Sequence, residues 1–473
     1  MHQSFKTRTK IVGTIGPTCD AVPVIEKMIK EGLTVARINM SHGDHKTHAV
    51  AIKNARAASK KAGQPLAILQ DLSGPKIRIG DFTTEEVTLV NGKKLTLTTK
   101  ACDGSVDKVF VNYPKLPNEV EVGMDIYLND GKQKLVVTKI AGKEIHTKIL
   151  AGGTIKGRRG VNLPDADLSV SSLTAKDKKD LVFGISQNVD FITLSFVRTA
   201  ADIHLLRKLI GNKSKASIVA KIETKSAIEN LDEIIEAADV IMVARGDLAI
   251  EMPVEQVPLL QKKIIRIANR LHKPVITATQ MLDSMRVSTT PTRAEVLDIA
   301  NAILDGTDAL MLSDETAVGL YPSKAVAMMT KVAREIENDD YFINKQKHWD
   351  FPPETVVDAV GNSIAHSVRA TNTKVIVALS EGGGTSKVVA RYRPNAPILV
   401  ITPNEETFRQ SLIIFGCIPV LNKKIKNLDG AQTITREIIK ERKLGKKGDT
   451  FILSAGLPFG TPGSTNVMLI EKV

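Results

Sequence analysis

Ser217-Ile-Val-Ala-Lys-Ile-Glu223 is followed, after one amphipathic stretch, by Val240-Ile-Met-Val-Ala-Arg-Gly-Asp247. Each is a short, nearly continuous apolar run that closes on charged residues. An apolar run of that length reads as a strand covered on both faces, with an end that emerges into a cleft. Upstream, Lys10-Ile-Val-Gly-Thr-Ile15, Leu33-Thr-Val-Ala-Arg-Ile38, Leu66-Ala-Ile-Leu-Gln-Asp71 and residues 191–197 repeat the pattern; downstream, residues 275–279 and 309–313 complete it. Eight such runs alternating with helix-like stretches predict an α/β chain built on a closed (β/α)8 barrel, with its reactive groups at the C-terminal strand ends.

The third and fourth runs lie about 120 residues apart, where one crossover needs about a dozen. Between them the chain turns to Thr-, Val- and Lys-rich runs broken by Asn91-Gly92, Asn129-Asp130-Gly131, Ala141-Gly142-Lys143 and Gly152-Gly153, which read as hairpin turns. A small inserted β-barrel over 73–167 is therefore expected, hung on a βα loop where it closes over the barrel mouth as a lid; a decorative insertion is the plainer alternative. The barrel then occupies 1–72 and 168–342. A polar, Pro-containing stretch through Trp349, Pro352 and Pro353 reads as a linker,. Residues 343–473 are expected to form an open α/β domain, with strands at 374–380, 397–402, 418–421, 450–455 and 467–470 and a helix at 354–370.

Composition narrows the function. Of 473 residues, 42% are hydrophobic and 25% charged, ordinary globular usage that excludes disordered, fibrous and disulfide-framework classes. No apolar run approaches the roughly 20 residues of a membrane span, and residues 1–10 carry no signal-like apolar core. Cys19, Cys102 and Cys417 are scattered, as expected of free thiols in the cytoplasm. Lys plus Arg exceed Asp plus Glu by 65 to 52, a net +13, which favours anionic partners. Aromatics are only 4%, and no basic arm or stacking motif is present, so phosphorylated small molecules are expected rather than nucleic acid.

The strand ends carry the chemistry. Period two sends Arg37 and Asn39 of Arg37-Ile-Asn-Met-Ser-His-Gly43 to one side, a guanidinium fork beside an amide, although a surface ion pair would also account for Arg37. Lys221 and Glu223 likewise share a face, as a reactive pair or as a buried salt bridge. Asp247, after Gly246, brings a second carboxylate to the adjacent strand end; two carboxylates suit Mg2+ whose other positions are taken by water and substrate phosphate, and a helix cap is the alternative. Thr277 and Thr279 offer hydroxyls two apart, and the eighth strand ends at Ser313; such hydroxyls orient a carboxylate or relay a proton, though threonine is also a good strand former. Polar residues ending one strand after another mark an active rim.

Thr9-Lys-Ile-Val-Gly-Thr-Ile-Gly-Pro17, Arg37 to Gly43, Gly74-Pro-Lys-Ile-Arg78, Ser195-Phe-Val-Arg198, Ala220 to Thr224, Ala244-Arg-Gly-Asp247, Thr277-Ala-Thr-Gln-Met281 and Pro291-Thr-Arg-Ala-Glu295 together closely resemble the pyruvate kinases over essentially the whole chain. The resemblance implies phosphoryl transfer from phosphoenolpyruvate to ADP, giving pyruvate and ATP, in a cytoplasmic homotetramer. It implies Glu223 and Asp247 as ligands of Mg2+ (or Mn2+), Lys221 as the cation beside the moving phosphoryl group, and Arg37 as the grip on the substrate phosphate. Ser195, Gly246, Asp247 and Thr279 match the substrate pocket, and Asn39, His42, Arg78 and Lys176 the nucleotide side. Thr279, Ser313 and water are the implied proton relay.

Relatives bind K+ through positions matching Asn39, Ser41, Asp71 and Leu72, with Glu at the place of Lys76 and Thr at that of Leu72. A lysine there supplies the charge itself, so activity without K+ is expected, resembling the potassium-independent branch. In the C-terminal domain, Ser380-Glu-Gly-Gly-Gly-Thr-Ser-Lys387 is a glycine-rich turn into a helix, a form that aims N–H groups at an anion. Ser380, Gly382, Gly384, Thr385 and Ser386 match the family's effector-phosphate loop and 456–464 the loop closing over it, which implies a sugar-phosphate or nucleotide effector; Glu381 departs from the basic or polar residue of some relatives. The rival readings are a phosphoenolpyruvate-using lyase or aldolase on a similar barrel and a non-catalytic sugar-phosphate sensor.

Overall fold

A computed structural model of the chain describes residues 6–339, 351–425, 427–458, 463 and 465–473. The stretch through Trp349 read as a linker falls mostly outside the described residues, as does most of 459–464. The eight apolar runs become parallel strands β1 (Lys10–Thr14), β2 (Val35–Asn39), β3 (Ala67–Asp71), β4 (Phe191–Leu194), β5 (Ser217–Ile222), β6 (Val240–Ala244), β7 (Val275–Ala278) and β8 (Ala309–Leu312). They close into a barrel, with Lys10 of β1 opposite Ala309 of β8.

Strand alternation produces two apolar layers. Ile11, Ile38, Ile68, Ile192, Ile218 and Ile241 pack with the surrounding helices; Val12, Val35, Leu69, Phe191, Val219 and Met242 fill the interior. Along the inner face the residues change character toward the C-terminal end. Thr14, Arg37, Asp71, Ser195, Lys221 and Glu223 continue the parity of Val12, Val35, Leu69, Phe191 and Val219. The barrel is thus greasy below and polar at its upper rim. Pro291-Thr-Arg-Ala-Glu295 starts a helix as a capping box: Glu295 N donates to Thr292 Oγ1 at 3.3 Å and Thr292 N to Glu295 Oε2 at 2.7 Å, satisfying two donors that the helix itself cannot.

The insert takes the form of a six-stranded sheet and a two-stranded ribbon around Leu95, Leu97, Val109, Ile126, Leu135 and Ile145. Two of the four turn signals close hairpins as expected: Asn129-Asp130-Gly131 and Ala141-Gly142-Lys143 join Asp125–Leu128, Gln133–Ala141 and Glu144–Ala151 in sequence. The other two correct the expectation. Glu86–Leu89 pairs with Gly153–Lys156, and Lys94–Thr98 with Glu144–Ala151, so Asn91-Gly92 and Gly152-Gly153 mark where the chain leaves one sheet for the other. The corners support each other. Gly152 N donates to Asn91 Oδ1 at 2.6 Å and Gly92 N to Ile149 O at 2.8 Å, and a Cβ on Gly152 would strike the Leu89 carbonyl. A turn dipeptide encodes a reversal of direction, not the identity of the strand that follows as partner.

The C-terminal sheet comprises β9 (Val375–Leu379), β10 (Ile398–Thr402), β11 (Cys417–Leu421), β12 (Thr450–Gly456) and β13 (Thr465–Lys472), in the order β11-β10-β9-β12-β13, with only β13 antiparallel to its neighbour. Thr355 caps the helix Val356–Thr371. Ile364, Val368, Ile413 and Ile414 join the apolar cluster of the barrel interior, so this domain plugs the N-terminal end of the barrel. Polar ties seal the joint: Gly416 N donates to Arg8 O at 2.8 Å, Lys10 Nζ to Cys417 O at 2.7 Å and Arg393 Nη1 to Asp308 Oδ1 at 2.7 Å. The three cysteines are free, and no described helix is long and apolar enough to cross a membrane.

Candidate active site

Lys221 rises from β5 into the upper rim, its Nζ 3.0 Å from Glu223 Oε2 and donating to Ser195 Oγ at 3.1 Å. The Ser195 hydroxyl donates in turn to the Leu72 carbonyl at 2.7 Å. Burial alone would lower the lysine's pKa, but Glu223, Asp71 and Asp247 outweigh it and hold the ammonium above its ordinary value,. Glu223 is fully buried. Its Oε1 accepts from Phe196 N at 2.7 Å; its Oε2 faces the ammonium as an ion pair. Burial pushes this carboxyl up, Lys221 pulls it down, and Asp247 pushes it up again.

Asp247 sits in the first turn of the helix Arg245–Glu251, where no side chain caps the N-terminus, so the helix-cap alternative does not hold. Among the described residues no group of three or more His, Cys, Asp or Glu is arranged for a metal ion. What is present is a fully buried carboxylate ion-paired with one ammonium, and a second carboxylate acting on the same ammonium. That donor set fits a hard divalent cation that takes its remaining ligands from water and substrate.

Arg37 does not sit at the surface as an ion pair would. It is buried, its Nε donating to Asp71 Oδ2 at 2.8 Å, its Nη2 2.7 Å from the same oxygen, and its Nη1 donating to Thr14 Oγ1 at 2.8 Å. Asn39 Oδ1 accepts from Ser41 N at 3.0 Å. His42 is exposed.

The paired hydroxyls of β7 separate. Thr277, at the centre of the strand, faces the helix layer and donates to Thr307 Oγ1 at 3.0 Å, so it is not at the rim; strict alternation would send Thr279 the same way. Instead Thr279 has φ 72° and Gln280 φ 55°, a left-handed turn that a β-branched residue adopts only when its surroundings enforce it. The turn brings Thr279 Oγ1 to accept from Gly246 N at 2.8 Å. The enforcing group is Arg245, whose guanidinium donates to the Ala278 carbonyl at 3.2 Å, the Thr279 carbonyl at 2.6 Å and Asp298 at 2.7 Å. Arg245 and Thr14 are not among the candidates offered by the strand-end pattern. A charged residue between an apolar strand and a glycine was the available signal for the first; nothing in the sequence singles out the second. Ser313 is held through its backbone, donating to Glu315 Oε2 at 2.7 Å, and shares no hydrogen bond with Thr279 among the described residues.

A cavity of about 340 Å3 opens between barrel and insert, lined by Ser41, Ser73, Lys76, Arg78 and Lys176 among others. Arg78 Nη1 donates to Arg158 O at 3.0 Å, and Lys176 Nζ to Met40 O and Asp180 Oδ2, both at 2.6 Å. Lys76 is half-buried and has no carboxylate within 4.0 Å among the described residues. Three cations in one cleft suit an anionic ligand.

In the C-terminal domain the hydroxyls of the glycine-rich turn are used within the fold. Ser386 Oγ donates to Gly383 O at 2.8 Å, and Thr385 Oγ1 pairs with Thr465 Oγ1 at 2.7 Å. Ser380 N donates to Ile401 O at 3.1 Å, and no atom would lie within 4 Å of a Cβ on Gly382 or Gly384. The stretch 456–464, expected to close over this turn, lies largely outside the described residues.

The family model for the pyruvate kinase barrel domain matches residues 6–326, and that for the pyruvate kinase alpha/beta domain matches 358–471. The chain is 42% identical over 478 aligned positions to a pyruvate kinase of Geobacillus stearothermophilus, covering 99% of this chain and 81% of that one. It is 41% identical to pyruvate kinase 2 of Synechocystis and 43% to a pyruvate kinase of Staphylococcus aureus, with 98% of this chain and 79% and 80% of those relatives covered. With an eight-stranded barrel, an inserted β domain, a C-terminal α/β sheet and an ammonium set among carboxylates at the barrel rim, the chain belongs to the pyruvate kinase family.

Proposed function

We propose that this protein transfers the phosphoryl group of phosphoenolpyruvate to ADP, giving pyruvate and ATP, with Glu223 and Asp247 holding Mg2+ or Mn2+. The observation that carries the reading is the fully buried Glu223, whose Oε2 lies 3.0 Å from the Lys221 ammonium while Asp247 acts on that same ammonium. Moving a phosphoryl group between two anions requires neutralising several negative charges where water is scarce. The divalent ion, when bound, supplies Lewis-acid charge to the phosphoryl oxygens. Lys221 supplies a fixed ammonium whose position Ser195 and Glu223 determine. Asp71 and Thr14 engage three of the five N–H groups of Arg37, leaving two for a substrate phosphate. Thr279, Gly246 and Ser195 orient the substrate carboxylate, and Thr279 and Ser313 pass a proton to the enolate through water. Asn39, His42, Arg78 and Lys176 take the nucleotide side. Mixing the protein with phosphoenolpyruvate tests this: pyruvate is expected only when ADP and Mg2+ are both present, and pyruvate formed at the same rate without ADP, its phosphoryl group passing to water as inorganic phosphate, would refute the kinase reading.

Lys76 sets the cation requirement. Lys76 lines one cavity with Ser41 and Ser73, has no acidic partner among the described residues, and would stand in for K+ at the positions of Asn39, Ser41, Asp71 and Leu72. In buffer free of Na+ and K+, adding K+ is expected to change the rate by less than about tenfold, roughly 1.4 kcal/mol; a larger rise would refute it. The same reading has the protein as a cytoplasmic homotetramer, measurable by light scattering. It also has the protein activated by a sugar phosphate or nucleotide at 380–386, and a flat response to a panel of sugar phosphates and AMP would remove that effector.

A further inference from the structure

The helix Arg245–Glu251 carries Asp247 and is anchored differently at its two ends. Its first residue is pinned to the barrel through Ala278, Thr279 and Asp298. Its last residue is met from both sides: Asn162 Nδ2, on the insert strand Val161–Asn162, donates to Glu251 Oε1 at 3.2 Å, and the Lys225 backbone N–H of the barrel also bonds the carboxylate. Beside it, Gly131 of an insert hairpin faces the Ile250 side chain closely enough that an added Cβ would meet it at 3.6 Å. Asp247 and Glu251 are four residues apart and so share a helix face; both line a cavity of about 80 Å3 with Ile77, Asn162, Leu163 and Phe196. Burial, with Asp247 and Glu223 adding to it, pushes the Glu251 carboxyl up to about 7, as expected of a group enclosed here rather than solvated at the surface.

We propose that Asn162 and Glu251 form a latch between the base of the insert and the helix bearing Asp247, making Glu251 a positioning residue that sets the orientation of Asp247 according to where the insert stands. The inference rests on the reading of Glu223 and Asp247 as the divalent-metal site. A two-turn helix fixed at one end tilts as a rod when its other end moves, so a displacement of Asn162 is passed to Asp247 one turn away. Magnesium-type coordination tolerates little departure from octahedral geometry, and loss of a group that orients a metal ligand typically weakens binding by about 10- to 100-fold.

The test is Mn2+ binding to the full-length protein, measured by electron paramagnetic resonance without substrate. Asn162→Ala and Glu251→Ala are each expected to weaken binding about tenfold. The double variant should be no more than about twofold worse than the poorer single, because both remove one coupling. Glu251→Gln should stay within about threefold of the parent, since its amide oxygen still accepts from Asn162. Hydrogen exchange over 161–163 should quicken in Asn162→Ala. Unchanged Mn2+ affinity in Asn162→Ala, additive losses in the double variant, or a Glu251→Gln as weak as Glu251→Ala each overturns the latch. If Glu251→Ala does not fold, Asn162→Ala and Glu251→Gln decide the matter alone. Failure of the parent to bind Mn2+, or binding indifferent to Glu223→Gln, would instead overturn the metal site on which the latch depends.

Discussion

Lys221→Met is expected to lower kcat for pyruvate formation by about 10³-fold, roughly 4 kcal/mol, while KM for phosphoenolpyruvate moves by less than about tenfold. The asymmetry follows from what the ammonium does. In the proposed reaction Arg37 and the Thr279 turn would bind the ground-state phosphate and carboxylate, whereas Lys221 would meet charge that develops as the phosphoryl group moves, and an interaction made mainly in the transition state appears in kcat. Methionine retains the aliphatic stem and much of the packing against β5, so the loss reports charge rather than a cavity. A second consequence is measurable without substrate. Lys221 pulls the pKa of Glu223 down against burial; once it is gone, that carboxyl holds a proton to higher pH, and Mn2+ affinity near neutrality should fall and recover as pH rises. A kcat loss below about tenfold would show that the ammonium is a structural partner of Glu223 and nothing more.

Arg393→Met is expected to lower stability by about 3–5 kcal/mol, the usual cost of removing one partner from a buried ion pair. Arg393 is only 2% exposed. Its two Nη atoms donate to the two Asp308 carboxylate oxygens at 2.7 and 2.9 Å, and Nη2 also donates to Asn269 Oδ1 at 2.8 Å. Asp308 also accepts from Val275 N and Phe415 N, both at 3.0 Å, so the carboxylate cannot swing out to water when the guanidinium goes. The pair joins the C-terminal domain to the barrel floor, and the loss should appear as an earlier first transition in urea, with the domains parting before either melts. Adding Asp308→Leu to Arg393→Met should recover part of the loss, because an apolar pair no longer strands a charge. A midpoint unchanged by Arg393→Met would mean that the apolar contacts of Ile413 and Ile414, with the Gly416–Arg8 and Lys10–Cys417 hydrogen bonds, hold the joint without this ion pair.

Most of the frame, and half of the site, was legible in the amino-acid order. Period two along a strand is covalent geometry, so the placement of Lys221 and Glu223 on one face with Val219 below them could be read without coordinates, and so could eight runs of parallel-strand character. The inward parity of Arg37 and Asp71 was legible in the same way; that they bind each other was not, since strand neighbours are set by barrel closure. The Asn91-Gly92 and Gly152-Gly153 turns are visible as turns but close no hairpin, because pairing partners are chosen by which faces can share a core.

What this chain's sequence determined by itself is therefore periodic and local: where strands run, which side chains they present inward, and that polar groups collect at the C-terminal rim. Only the tertiary structure decided the rest. Thr279 leaves its strand's alternation because Arg245, 34 residues earlier, holds a left-handed turn in place; Asp247 is spared capping its own helix; Glu251 finds Asn162 on the insert. Each of these depends on a contact between segments distant in the chain, whose strength comes from burial and geometry that exist only once the barrel has closed.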